Sequence, residues 1–301
     1  MQQYLAIFKE VRYILAEQGL KDEAISDNYQ SVFSKLNPNP FTFQQVMVDY
    51  LAEFSVKSLD FVDQHFWSNG IRVRRCGDEL MVTSVTADMR FVVGDRITHL
   101  SGDAVSALAE RYRKLLFNEP PDRQDWHPIL KKQHQAVVRR GEETYEFDLK
   151  AFEENGETEP FCRGAYSEVI VQHVRGLFHY LNEAEGPQLI DIRDAYGVIP
   201  EDRIDGMVQN LPAGSVVLID ALTKGSAERF ASKLNPAQLV GQETYGQAEP
   251  LTKKPLGEQF FIYSSGKDST VIPGTMVKLK GEADVVRETG IELLNNLGEE
   301  I

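Results

Sequence analysis

A run of buried-type residues, VVLID at 216–220, feeds a turn of small residues and then the stretch TKGSAERF at 223–230. Ala227, Phe230, Ala231 and Leu234 continue at helical spacing, so the turn opens a helix with one apolar face. A serine at such a strand-to-helix turn has two readings. Thr223 or Ser226 can cap the helix by accepting a bond from one of its free backbone N–H groups. Alternatively, Ser226 is a nucleophile, and the same N–H groups and the helix dipole stabilise an oxyanion.

A serine nucleophile needs a base. The histidines are His65, His99, His127, His134, His173 and His179. His99 falls in a strand-like stretch. His127 and His134 flank a segment that reads as exposed, and His173 and His179 have poor spacing for a shared metal. His65 stands in LDFVDQHFWSNGI, at the junction between a helical region and a strand-rich one, and is the candidate general base. The sequence has no Walker loop, no dinucleotide fingerprint after a strand and no His/Cys/Asp cluster at ligand spacing, so neither a metal nor an organic cofactor is expected. Cys76 and Cys162 are the only cysteines, which argues against a disulfide framework and a cysteine zinc site.

The elements around these residues predict a multidomain protein, α+β first and α/β after. Residues 1–67 read as a helical cap: Leu5, Phe8, Val11 and Leu15 repeat at three and four, NPNPF at 37–41 interrupts, and a second helix follows Thr42. From Gly70 the texture changes. IRVRRCGDELMVTSV alternates around a GD turn, VGDRITHLSGDAV reads strand, turn, strand, residues 106–117 read as a helix, and QAVVRRGEETYEFDL is a hairpin turning at Gly141. That order fits a PDZ-like module over 68–150, with any small α+β domain as the alternative. A PDZ-like module captures an extended peptide as an added strand. The acidic stretch at 150–164 reads as a linker. Over 151–301, a strand at 166–174, a strand running into a loop at 187–197, a strand at 214–221 and a strand and turn at 237–246 alternate with helices at 175–186, 199–212 and 226–234, which predicts an α/β core around a mainly parallel sheet.

Of 301 residues, 46 are acidic and 32 basic, a net charge of −14 that excludes a typical nucleic-acid surface. No apolar run is long enough to span a membrane. The N-terminus lacks the pattern of a signal peptide, so a cytoplasmic location is expected, or an extracytoplasmic one if a leading segment has been removed.

Three segments in order resemble the tail-specific, or C-terminal-processing, serine peptidase family. PQLIDIRDAYG at 187–197 is similar to its strand and glycine-rich loop, VVLIDALTKGSAERFASKL at 216–234 to its nucleophile turn, and LVGQETYGQ at 239–247 to its V-V-G-E-x-T-F-G-K run. LDFVDQHF resembles the L-x-D-x-H stretch of members that use a histidine. The resemblance implies a helical region, a PDZ-like module and a crotonase-like α/β core that holds the active site. It implies a serine endopeptidase acting near the C-termini of peptides or proteins, with Ser226 as nucleophile, His65 as base, and Gly197, Gly225 and Ala227 on the oxyanion side. The sequence departs from the family at three places. The lysine of the Ser–Lys members is replaced by Gln247. The family nucleophile stands three residues before the glutamate of the turn, which here is Gly225, so Ser226 comes one place late. The loop reads RDAYG, which sets the charge of Asp194 where an oxyanion would be stabilised. These departures leave two expectations open: a Ser–His peptidase, or a degenerate member that binds peptides without cutting them.

Overall fold

The computed structural model describes residues 2–35, 38–63, 66–154, 161–163, 168–170, 186–195, 199–265, 271–273, 275–276 and 290–294. The chain forms two compact units: 1–154 with 252–266, and 155–251 with 267–301.

The first unit begins with three helices, α1 (Gln2–Glu17), α2 (Glu23–Lys35) and α3 (Pro40–Ala52). The second proline of NPNPF opens α3 instead of closing the helical region. Asn39 caps the helix by accepting from the Thr42 N–H at 2.8 Å, and Pro40 takes the first position, where its missing N–H costs nothing. Phe8, Leu15, Phe43, Met47 and Tyr50 meet in one core.

The helical expectation for 1–67 overruns this region. Leu59–Asp63 is a strand, β1, and its alternating burial has the period of two that a helix lacks. The short strand β2 (Phe66–Ser68) follows. Next come β3 (Ile71–Cys76), β4 (Glu79–Val85), β5 (Arg96–Leu100), β6 (Asp103–Ala104), α4 (Val105–Arg111), α5 (His127–Leu130), β7 (Gln135–Arg140), β8 (Glu143–Asp148) and β9 (Phe152–Glu154). β3-β4-β5-β7-β8 is an antiparallel sheet, with β6 paired to β5 and α4 packed on it. The helix expected over 106–117 stops at Arg111, and the chain then turns, with Phe117 and Asn118 at positive φ. β2 pairs with β9. The partner of β1 is remote: β15 (Thr252–Leu256) and β16 (Phe260–Ser264) return to this unit and form the sheet β1-β16-β15, which closes the helical core through Phe61 and Phe260.

The second unit is built on the sheet β10 (Phe161–Arg163), β11 (Glu168–Ile170), β12 (Leu189–Asp191), β13 (Val216–Ile219), β14 (Leu239–Gly241) and β17 (Thr275–Met276), in that spatial order. β11, β12, β13, β14 and β17 are parallel, and β10 runs against β11. All four residues of β13 are buried, as a central parallel strand requires when both faces are covered. α6 (Glu201–Asn210) and α7 (Ser226–Ser232) cover one face through Ile204, Met207, Ala227 and Phe230. Gly241 is required where β14 meets β13: its φ is +134°, and a Cβ there would stand 2.0 Å from the Ile219 carbonyl oxygen. The helix expected at 175–186 lies outside the described residues except for Gly186.

Candidate active-site region

Because β12, β13 and β14 are parallel, the loops that leave them emerge at one end of the sheet, where open α/β sheets place their ligands. These loops are 192–195, 220–225 and 242–247, the three segments singled out in the sequence.

The middle loop is held by a buried polar knot. Thr223 Oγ1 accepts from the Asp220 N–H at 3.0 Å and donates to the Ile192 carbonyl at 3.0 Å. Asp220 Oδ1 accepts from the N–H groups of Leu222 at 2.8 Å and Asp194 at 3.0 Å. Asp194 has φ +56°, a left-handed conformation that favours glycine and tolerates aspartate. Backbone bonds extend the knot to both sides, from the Lys224 N–H to Ala195 and from the Tyr245 N–H to Thr223.

Gly225 then turns the chain into α7 with φ 60° and ψ −131°. This is a region of backbone space that a residue with a Cβ enters only under strain. Gly225 is the N-cap, and no side chain caps the helix, so neither Thr223 nor Ser226 has the capping role. Ser226 is the first helical residue and is buried. Its Oγ accepts a bond from the Ile199 N–H at 2.8 Å. Ala227 turns its methyl into the core beside Phe230. Its N–H stays in the first turn, where backbone donors have no intrahelical partner.

One turn on, Glu228 is fully buried, and its carboxylate faces the third loop. It accepts from the Thr244 hydroxyl and the Gln247 N–H, and from the Gly246 N–H at 2.8 Å. Thr244 Oγ1 in turn accepts from the Ile272 N–H at 2.7 Å. The buried carboxyl group is thus satisfied by two backbone N–H groups and one hydroxyl. It pins the loop that carries Gln247, itself almost completely buried.

The structure therefore brings Gly225, Ser226, Ala227, Asp194 and Gln247 to one end of the sheet. His65 and Gly197 lie outside the described residues, as do His173 and His179. His127, expected to be exposed, is half-buried, with Nδ1 2.8 Å from Asp125 Oδ1 and Nε2 2.9 Å from Arg72 Nη1. Among the described residues no group of three His, Cys, Asp or Glu is arranged to hold a metal, and no helix is long and apolar enough to cross a membrane. Glu228, Thr223 and Thr244 were not among the site residues taken from the sequence. Glu228 had a partial signal, an acidic residue flanking the apolar face of its helix.

The described residues thus form a first unit of helices and antiparallel sheets and a second unit built on a mainly parallel sheet, whose strand-end loops are locked in one polar cluster. No family model and no curated protein sequence matches the chain. Among solved structures it is similar to mature CPAF, with a TM-score of 0.53 and 10% identity over 98% of both chains. It is also similar to mature CPAF complexed with lactacystin, with a TM-score of 0.51 and 9% identity over 98% of this chain and 99% of that one. A weaker likeness is to the photosystem II D1 C-terminal processing protease, with a TM-score of 0.38 and 11% identity over 94% and 98% of the two chains. At such identities the CPAF likeness defines the shared fold and nothing finer.

Proposed function

We propose that the chain is a non-catalytic protein of the serine-peptidase fold that binds the C-terminal segments of peptides or proteins. The observation that carries this reading is Gly225. It stands three residues before Glu228, where the resembling family has its nucleophile, and it holds the strained turn without any side chain to react. Two neighbours support the reading. Gln247, at the family's lysine place, cannot serve as a base. The Oγ of Ser226 already accepts from a backbone N–H, which draws electron density away from a would-be nucleophile. Peptide binding falls to the antiparallel sheet with α4, read as PDZ-like, which would take an extended segment as an added strand.

The competing reading is a peptidase with Ser226 as nucleophile and His65 as base. Incubation with a fluorophosphonate probe decides between them. The wild-type chain is expected to remain unlabelled at concentrations that label an active serine hydrolase. Labelling that disappears in Ser226→Ala would overturn the proposal. A fluorescein-labelled pool of decapeptides with free C-terminal carboxylates is expected to bind saturably in fluorescence anisotropy and to be recovered uncut.

A further inference from the structure

β3 is an edge strand, paired with β4 and with no other strand among the described residues. Its second edge is nevertheless covered by the segment at 119–127, part of the connection between α4 and β7. Alternate residues of a strand face opposite ways, so Arg72 and Arg74 share one face and Val73 and Arg75 the other. The irregularity beside Arg72 leaves its extra residue in β4, so this alternation is undisturbed. Both faces reach the same segment. Arg72 Nη1 lies 2.9 Å from His127 Nε2, and Arg74 Nη1 donates to the Asp122 carbonyl at 3.5 Å. From the opposite face, Arg75 Nη1 donates to Gln124 Oε1 at 3.1 Å. A segment gripped from both faces of a strand runs along its edge.

The segment is anchored from within. Trp126 is fully buried in the same core as Ile71 and Val73. Its Nε1 donates to Gln124 Oε1 at 3.1 Å, and Gln124 Nε2 donates to the Glu119 carbonyl at 2.8 Å. Glu119 is paired with Lys57 and with Arg123.

We propose that residues 119–127 are an intramolecular strap across the β3 edge, and that an extended peptide is added to this edge only after the strap has moved. This rests on the reading of the module as a peptide binder. A strap that keeps most molecules closed lowers the apparent affinity by the fraction that is open. Loosening it therefore tightens binding without any new contact to the peptide.

The test uses the full chain, Gln124→Ala/His127→Ala and, separately, Glu119→Ala, with Trp126 kept in place to preserve the core. Hydrogen exchange followed by mass spectrometry reports the opening of 71–76, and anisotropy with the labelled decapeptide pool reports binding. The expected result is faster exchange in β3 together with a Kd about five- to tenfold lower than that of the wild type. Faster exchange with an unchanged or higher Kd, while the wild type still binds, overturns the strap and leaves the peptide-binding reading standing. Absence of binding in every form, with β3 open, removes both.

Discussion

Two groups of carboxylates in the second unit are held in opposite ways. Asp220 and Glu228, at the ends of the parallel strands, are buried and accept from backbone N–H groups and hydroxyls. Glu201 and Asp205, on α6, lie near the surface and meet Arg229 of α7 and its C-cap Lys233, with Glu201–Arg229 at 2.9 Å and Lys233–Asp205 at 2.6 Å. The first group fixes loops, where one lost acceptor strands several buried donors. The second ties together two helices that already share an apolar face, and water can replace either partner.

This contrast breaks first if Glu228 proves dispensable. Glu228→Ala leaves the Thr244 hydroxyl and two backbone N–H groups without their acceptor, and is expected to cost about 3 kcal/mol or more in urea unfolding. Glu228→Gln keeps the size but turns a donor toward donors, so it should recover only part of the loss. A cost below that of the α6–α7 ion pairs would erase the distinction. Thr223→Val, nearly isosteric, removes one bond in each direction from the knot. It should cost about 1–3 kcal/mol, and faster amide exchange at 220–225 is the check that the loss is local.

The smallest effect belongs to the surface clamp. Glu201→Ala should cost about 0.5–1 kcal/mol, less in high salt. The Arg229 hydrogen bond, with help from Lys233, holds the Glu201 carboxyl below its ordinary value. A lowered folded value means the contribution is present above the unfolded value, about 4.3, and is lost as pH falls through the folded one. The stability difference between wild type and Glu201→Ala should therefore persist at pH 7 and shrink toward zero in strong acid. A difference that grows on acidification would contradict the assignment.

The parts of the fold that could be read from the sequence are those with local causes. Apolar residues at three and four mark α1, turn dipeptides mark the β3–β4 and β7–β8 hairpins, and the apolar run VVLI marks β13. LDFVD was misread because its reason for being a strand lies outside it: β16 supplies the pairing from far along the chain. His127 was misjudged for a similar cause, since Arg72, which faces it, is distant in sequence. At the candidate site, the order of the three loops was legible from motifs, and so was the small-residue turn that opens α7. The bonds that lock them were not, because a backbone N–H that donates to Glu228 leaves no mark on residue type. The φ and ψ of Gly225 were equally invisible in residue type beyond the fact that it is a glycine.

The return of β15 and β16 to the first unit has a consequence for synthesis. Leu59 pairs with Ser264, so β1 emerges from the ribosome about 200 residues before its partner. At roughly 5–20 residues per second, that is a wait of about 10–40 s. Through that interval Phe43 and Phe61 lack Phe260, the ring that stacks against one and meets the other edge-on. The N-terminal helices therefore cannot reach their final packing as they are made. Part of their apolar surface stays uncovered, a natural client for a chaperone, until β15 and β16 have been translated.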